Sequence, residues 1–198
     1  MSGMVMRAVG LIVTAGLALT ACTGSPSEPD VSSPAPTGVP TPAASASPSP
    51  SSPVKPVRPE AMKRTDAEGA AAAAEYFIEL YPYVMATGDT EEFEAMSHRA
   101  CGFCSDALEQ AKRIKEHGYT YAGGDATLEV TETYVRDDVT GIYPLDTEIS
   151  QKSSQISDSN GKEVHSTVDK ISESRVEMGI RGGSWVVVTV APIPVGQQ

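Results

Sequence analysis

A single change of hydrophobic period near Tyr119 constrains the fold more than any other feature of this sequence. Before it, Ala70, Ala74, Phe77, Tyr81 and Val84 recur at helical spacing, with Ile78 and Met85 widening the stripe. After it, Ala126, Leu128, Val130 and Tyr134 alternate with Thr127, Glu129, Thr131 and Thr133, the pattern of a half-buried strand. Helices followed by an antiparallel meander make an α+β domain, with N-terminal helices packed on an antiparallel sheet of about four strands.

The local signals refine this outline. Thr65-Asp66-Ala67-Glu68 reads as a T-x-x-E capping box opening the first helix, and Pro82 predicts a kink or an end near Tyr81. Gly88 suits the left-handed residue that closes a helix, and Asp89, with Glu92 three residues on, suits the N-cap of the next. A second helix over about 90–97 would turn Phe93 and Met96 inward, and a third over about 105–116 would bury Leu108, Ala111 and Ile114. A polar strand over about 145–156 reads as lying near a sheet edge, and Asn160-Gly161 marks a hairpin. The return strand carries Val164, Val168 and Ile171 inward, then Val176, Met178 and Ile180 after a change of face. Gly182-Gly183 turns it into the strand from Ser184 to Val190, whose apolarity predicts a central place in the sheet.

Composition sets the boundaries. From Thr23 to Pro59 lie 11 of the 15 prolines and nine serines with no aromatic residue, too little apolar surface to repay ordering. Residues 22–59 therefore read as Cys22 followed by a disordered tether, and 60–198 as one domain of 139 residues. That domain holds 24 acidic and 12 basic residues. Its charge of about −12 excludes nucleic acid as a partner, because no basic stripe remains to meet phosphates.

Residues 1–21 begin with one cation, Arg7, and continue into an uncharged core of about a dozen residues, shorter than the roughly 20 of a membrane span. The core ends in Leu19-Thr20-Ala21-Cys22, which resembles the lipobox of bacterial lipoproteins. The resemblance implies removal of 1–21 as a signal peptide and attachment of diacylglycerol to Cys22. The domain would then be lipid-anchored at the extracytoplasmic face of the cell membrane.

With Cys22 lipidated, Cys101 and Cys104 remain, and in an oxidising compartment a local disulfide is the expected state. A redox-active pair at the start of the third helix is the chemical alternative. A zinc site using His98, Cys101, Cys104 and His117 is the other, although its spacing matches no standard finger. No calcium loop, nucleophile elbow or phosphate loop is present, and His98, His117 and His165 have no nucleophile beside them in sequence. Neither a cofactor, a metal nor a catalytic residue is expected.

Ala86-Thr87-Gly88-Asp89-Thr90, the closely spaced Cys101 and Cys104, and a helix ending at Gly118-Tyr119 resemble a family of actinobacterial lipoproteins known only as a domain of unknown function. The order of elements is similar to the NTF2-like fold, which implies helices on a curved sheet around a pocket. Such a pocket implies a non-catalytic module that binds a small apolar ligand or an envelope protein. The alternative is a small-molecule pocket enzyme of isomerase, dehydratase or hydrolase type.

Overall fold

The computed structural model describes residues 53–194. The expected signal segment 1–21, Cys22 and most of the tether lie outside the described residues. Among the described residues no helix is long and apolar enough to cross a membrane.

A 3₁₀ turn, Glu60–Lys63, leads into helix α1, Ala67–Thr87. The N-cap is Asp66, one residue past the expected Thr65, and its carboxylate accepts from the Gly69 amide at 3.1 Å. Glu68 pairs instead with Arg64 at 2.7 Å. Pro82 neither ends the helix nor interrupts it before Gly88, which adopts φ 65° and closes it as expected. A proline inside a helix costs about 3 kcal/mol. Here Phe77, Ile78 and Leu80 before it, and Val84 and Met85 after it, are all buried. At roughly 1.5–3 kcal/mol for each buried side chain, that packing outweighs the proline.

Helix α2, Glu91–Ala95, is a single short turn that buries Phe93 against Phe77, ring centroids 4.1 Å apart. The chain leaving it pairs with the last strand: the Val187 amide donates to Met96 O at 2.7 Å and the His98 amide to Val187 O at 2.9 Å. Helix α3, Gly102–Glu116, begins three residues earlier than the sequence suggests. Its N-cap is Cys101, whose sulfur accepts from the Cys104 amide at 3.2 Å, so the cysteine pair itself starts the helix.

Seven strands follow, all antiparallel where they pair. β2 (Ala126–Thr133), β3 (Tyr143–Gln151), β6 (Lys170–Arg181) and β7 (Ser184–Pro192) form a four-stranded sheet in the order β2-β3-β6-β7. β1 (Thr120–Gly123), β4 (Ser154–Ser157) and β5 (Glu163–Thr167) form a second sheet in the order β1-β4-β5. The expected strand over 145–156 is two strands in two sheets. Its break is held by the Lys152 amide on Asp125 O and the Ser153 amide on the Asp169 carboxylate, each at 2.8 Å. The hairpin at Asn160-Gly161 and the turn at Gly182-Gly183 form as expected. In the short loop before β2, Gly124 has φ 78°, and a Cβ there would meet the Tyr121 hydroxyl at 1.9 Å.

Two strand positions differ from expectation, for one reason. The polar β3 is central and the apolar β7 is at the edge of its sheet. Polar residues on β3 are satisfied across strands: Thr147 Oγ1 donates to Ser174 O at 2.9 Å, and Asp146 accepts from Arg175 at 2.7 and 3.0 Å. β7 stays apolar because α3 and the Met96–His98 segment cover it. Trp185 of β7 also latches the entry to α1, its indole donating to Met62 O at 3.1 Å and Arg64 O at 3.0 Å. Beside it the Tyr143 hydroxyl donates to Thr65 O at 2.7 Å.

The stretch assigned by composition to the tether makes contacts of its own close to the domain. Lys55 lies 2.9 Å from the Glu92 carboxylate and 3.6 Å from that of Asp89, and Arg58 also pairs with Glu92 while lying over the Tyr76 ring. Asp89 is not the N-cap of α2. That position is Thr90, and Asp89 accepts from the Tyr83 hydroxyl at 2.9 Å, a bond that holds its carboxyl below the usual range. Burial would raise the Glu92 carboxyl, but hydrogen bonds from Tyr76, Lys55 and Arg58 outweigh it and bring the pKa from 4.5 to about 2.

A depressed carboxylate stabilises the fold above its ordinary pKa, and that contribution is lost as pH falls toward the folded value. Because Lys55 and Arg58 are 37% and 53% exposed, solvent screening leaves about 1–2 kcal/mol. Urea denaturation should therefore show Glu92→Gln less stable than wild type by about that amount at pH 7, with the gap mostly closed near pH 2.

Candidate functional site

The inner face of the main sheet changes character along its strands. Toward one end it carries Leu145, Val176, Met178 and Val187, all fully or almost fully buried under α1. Toward the other, β6 places Ser172 and Ser174 in the same phase, opposite Ile149 and Thr147 of β3. Large side chains fill the first half, and the small serines leave space in the second. The space is a cavity of about 290 Å³, open at one side.

Its apolar wall is built by Ile78 and Tyr81 of α1, Phe103 of α3, Ile149 of β3 and Val190 of β7. Phe103 is one of the two residues between the paired cysteines. A disulfide joins Cys101 to Cys104, with both residues buried at 2% and 1% exposure. The bond and the sulfur cap fix the first turn of α3 so that the Phe103 ring stacks on Tyr81 at 5.9 Å and meets Phe77 edge-on at 6.5 Å. The expected staple is present, and its consequence is one wall of the cavity. With both sulfurs joined and the His98 ring accepting from the Ala100 amide at 3.2 Å, the zinc constellation does not assemble.

The opposite wall is polar and uncharged. Ser174 is 8% exposed, and neither its hydroxyl nor that of Ser172 has a hydrogen-bond partner among the described residues. The Gln151 amide lies at the end of the same wall, and Lys170 and Glu173 bring one charge of each sign to its edge. Tyr81 donates to Gln110 Oε1 at 3.1 Å, and burial, with Tyr121 adding to it, pushes its phenol up to about 12. It is therefore a donor at any physiological pH.

The displaced carboxyls lie elsewhere. Glu92 sits with Lys55 and Arg58. The Asp146 carboxyl is lowered first by its hydrogen bonds to Arg175, against the opposing effect of burial. A second, more polar cleft of about 390 Å³ lies over the disulfide, edged by the exposed Arg99 and Arg181.

Sequence reasoning expected a pocket but missed the serines of its wall, because it misread the phase of the stretch it took as one return strand. Val164, Val168 and Ile171, expected inward, are 50%, 81% and 68% exposed, and Ile180 is exposed as well. No change of face occurs in β6 between Ser172 and Met178. The inward residues run Ser172, Ser174, Val176, Met178, and a strict count back from the buried Val176 by twos finds both serines.

No curated protein matches the chain. Among solved structures, the intermembrane-space region of the chloroplast protein ARC6 superposes with a TM-score of 0.50 at 16% identity, over 66% of this chain and 99% of that one. An uncharacterized protein with a cystatin-like fold from Caulobacter vibrioides gives 0.35 at 14% identity, over 66% and 90%. A putative calcium/calmodulin-dependent protein kinase II association domain from Xanthomonas campestris gives 0.30 at 12%, over 58% and 81%. At 16% identity the likeness to the ARC6 region concerns the fold alone, the expected α+β arrangement of helices on antiparallel sheet. Residues 40–191 match a family of unknown function, a span that starts inside the proline-rich stretch and includes Lys55, Arg58, the cysteine pair and every strand except the last residue of β7. The chain belongs to this family, DUF6318.

Proposed function

We propose that this protein is a lipid-anchored binding module that holds a small, largely apolar ligand in the cavity between α1, α3 and the main sheet, at the extracytoplasmic face of the cell membrane. The cavity carries the reading: about 290 Å³ is space for a small ligand, and most of its wall is aliphatic or aromatic. Binding is favoured over catalysis because the cavity's displaced group is a phenol held protonated, while the displaced carboxylates Glu92 and Asp146 are engaged in ion pairs outside it.

The anchor rests on the sequence. Two acyl chains on Cys22 would hold a domain whose charge of about −12 gives it no attraction of its own for anionic headgroups. A proline-rich tether at about 3.1 Å per residue would let the domain stand on the order of 100 Å from the bilayer. Growth in labelled palmitate should label the full chain and leave Cys22→Ala unlabelled. Label retained by that variant would contradict the anchor. Native mass spectrometry of wild-type protein gently extracted from membranes should show a bound small molecule, absent from Ile149→Trp, whose larger side chain fills the cavity.

A further inference from the structure

We infer that the ligand of this cavity carries an uncharged hydrogen-bonding group, a hydroxyl, ester or amide, seated against Ser172 and Ser174, with its hydrocarbon part against Phe103 and Ile149. The inference rests on the cavity being a binding site and adds the chemical class of what it takes.

Ser174 is nine-tenths buried, lines the cavity, and presents a hydroxyl with no hydrogen-bond partner among the described residues. Solvent reaches this hydroxyl through the cavity, and an apolar ligand that displaced the solvent without bonding it would leave a polar group buried and unpaired, so the site favours a ligand that supplies the bond. Ser172, two residues earlier on the same face of β6, offers a second hydroxyl beside it. Each hydroxyl donates once and accepts, so the pair serves an alcohol, an ester carbonyl or an amide equally well.

A charged head group fits poorly. No cationic or anionic side chain is buried in the cavity wall. Lys170 and Glu173 are exposed at its edge and carry opposite signs, so neither a carboxylate nor an ammonium finds a net counter-charge. Taking either ion out of water against Ile149, Val190 and Phe103 carries a desolvation cost that two serine hydroxyls do not return.

The test uses four probes with one carbon frame: phenylbutanol, phenylbutanoate, phenylbutylammonium and butylbenzene, each titrated into the wild-type protein by isothermal calorimetry. Phenylbutanol should bind about tenfold more tightly than butylbenzene, the value of one well-made hydrogen bond, and at least about a hundredfold more tightly than either ion. Ser174→Ala should reduce phenylbutanol affinity about tenfold and leave butylbenzene affinity unchanged or higher, a split that a loss of folding would not produce. Butylbenzene or either ion binding wild type as tightly as phenylbutanol would overturn the head-group assignment while leaving the cavity as a binding site. Binding by none of the four would overturn the cavity reading itself, and this inference with it.

Discussion

Replacing Phe77 by alanine is expected to lower the unfolding free energy by about 3–5 kcal/mol, the cost of removing a buried phenyl ring and leaving a hole behind. Phe77 is fully buried at the centre of α1, stacked on Phe93 at 4.1 Å and touching Phe103 edge-on. It therefore joins all three helices, and few neighbours can move to fill the gap, since α2 is one turn long and α3 is held at its start by the disulfide. For a domain of this size the melting temperature should fall by about 10–20 °C, read by calorimetry or circular dichroism. Phe77→Leu keeps most of the volume and should cost less than half as much.

A loss almost as large is expected from Arg175→Ala, about 2–4 kcal/mol in urea denaturation at pH 7. The Asp146 and Arg175 side chains are 8% and 12% exposed on the outer face of the main sheet. Asp146 also accepts from the Tyr134 hydroxyl at 2.8 Å, and Arg175 lies over the Tyr134 ring. Removing the guanidinium leaves a carboxylate out of water with one phenol for company. The Arg175 interaction holds the Asp146 carboxyl below its ordinary 3.8. Its stabilisation is therefore present above that pH and is lost as pH falls below it, so the variant should approach wild type in acid. Asp146→Leu together with Arg175→Met removes both charges and should recover most of the loss, because the penalty comes from the orphaned ion.

This pair explains where sequence reading succeeds and where it stops. The change of period at Tyr119 reveals the α+β class because burying one face of a helix or a strand imposes a spacing that no other residue has to share. Gly88 reveals a helix end because only its missing side chain makes a left-handed residue cheap. β3 was harder to place. Polarity suggests an edge only while its partners are unknown, and Asp146 and Thr147 find theirs on β6, some 27 to 29 residues away.

Pro82 misleads in the same way: its cost is local and visible, while the packing that outweighs it comes from the sheet and the other helices. Lys55 and Arg58 look like linker cations until Glu92 and Tyr76 are brought beside them. The cavity depends on Ser172 and Ser174 standing opposite Phe103 and Tyr81, residues contributed by one strand and two helices. Strand phase alone could have put both serines inward. Nothing local shows that the helices leave the space above them open.

The central claim is that a small apolar molecule sits between α1, α3 and the main sheet, and methyl NMR tests it directly. With isoleucine, valine and alanine methyls labelled, addition of phenylbutanol to the wild-type protein should shift Ile78, Ala126, Ile149 and Val190 and leave Ile114, outside the cavity lining, unmoved. Shifts confined to the exposed Val164, Val168 and Ile171, or no shifts at saturating probe, would contradict the account.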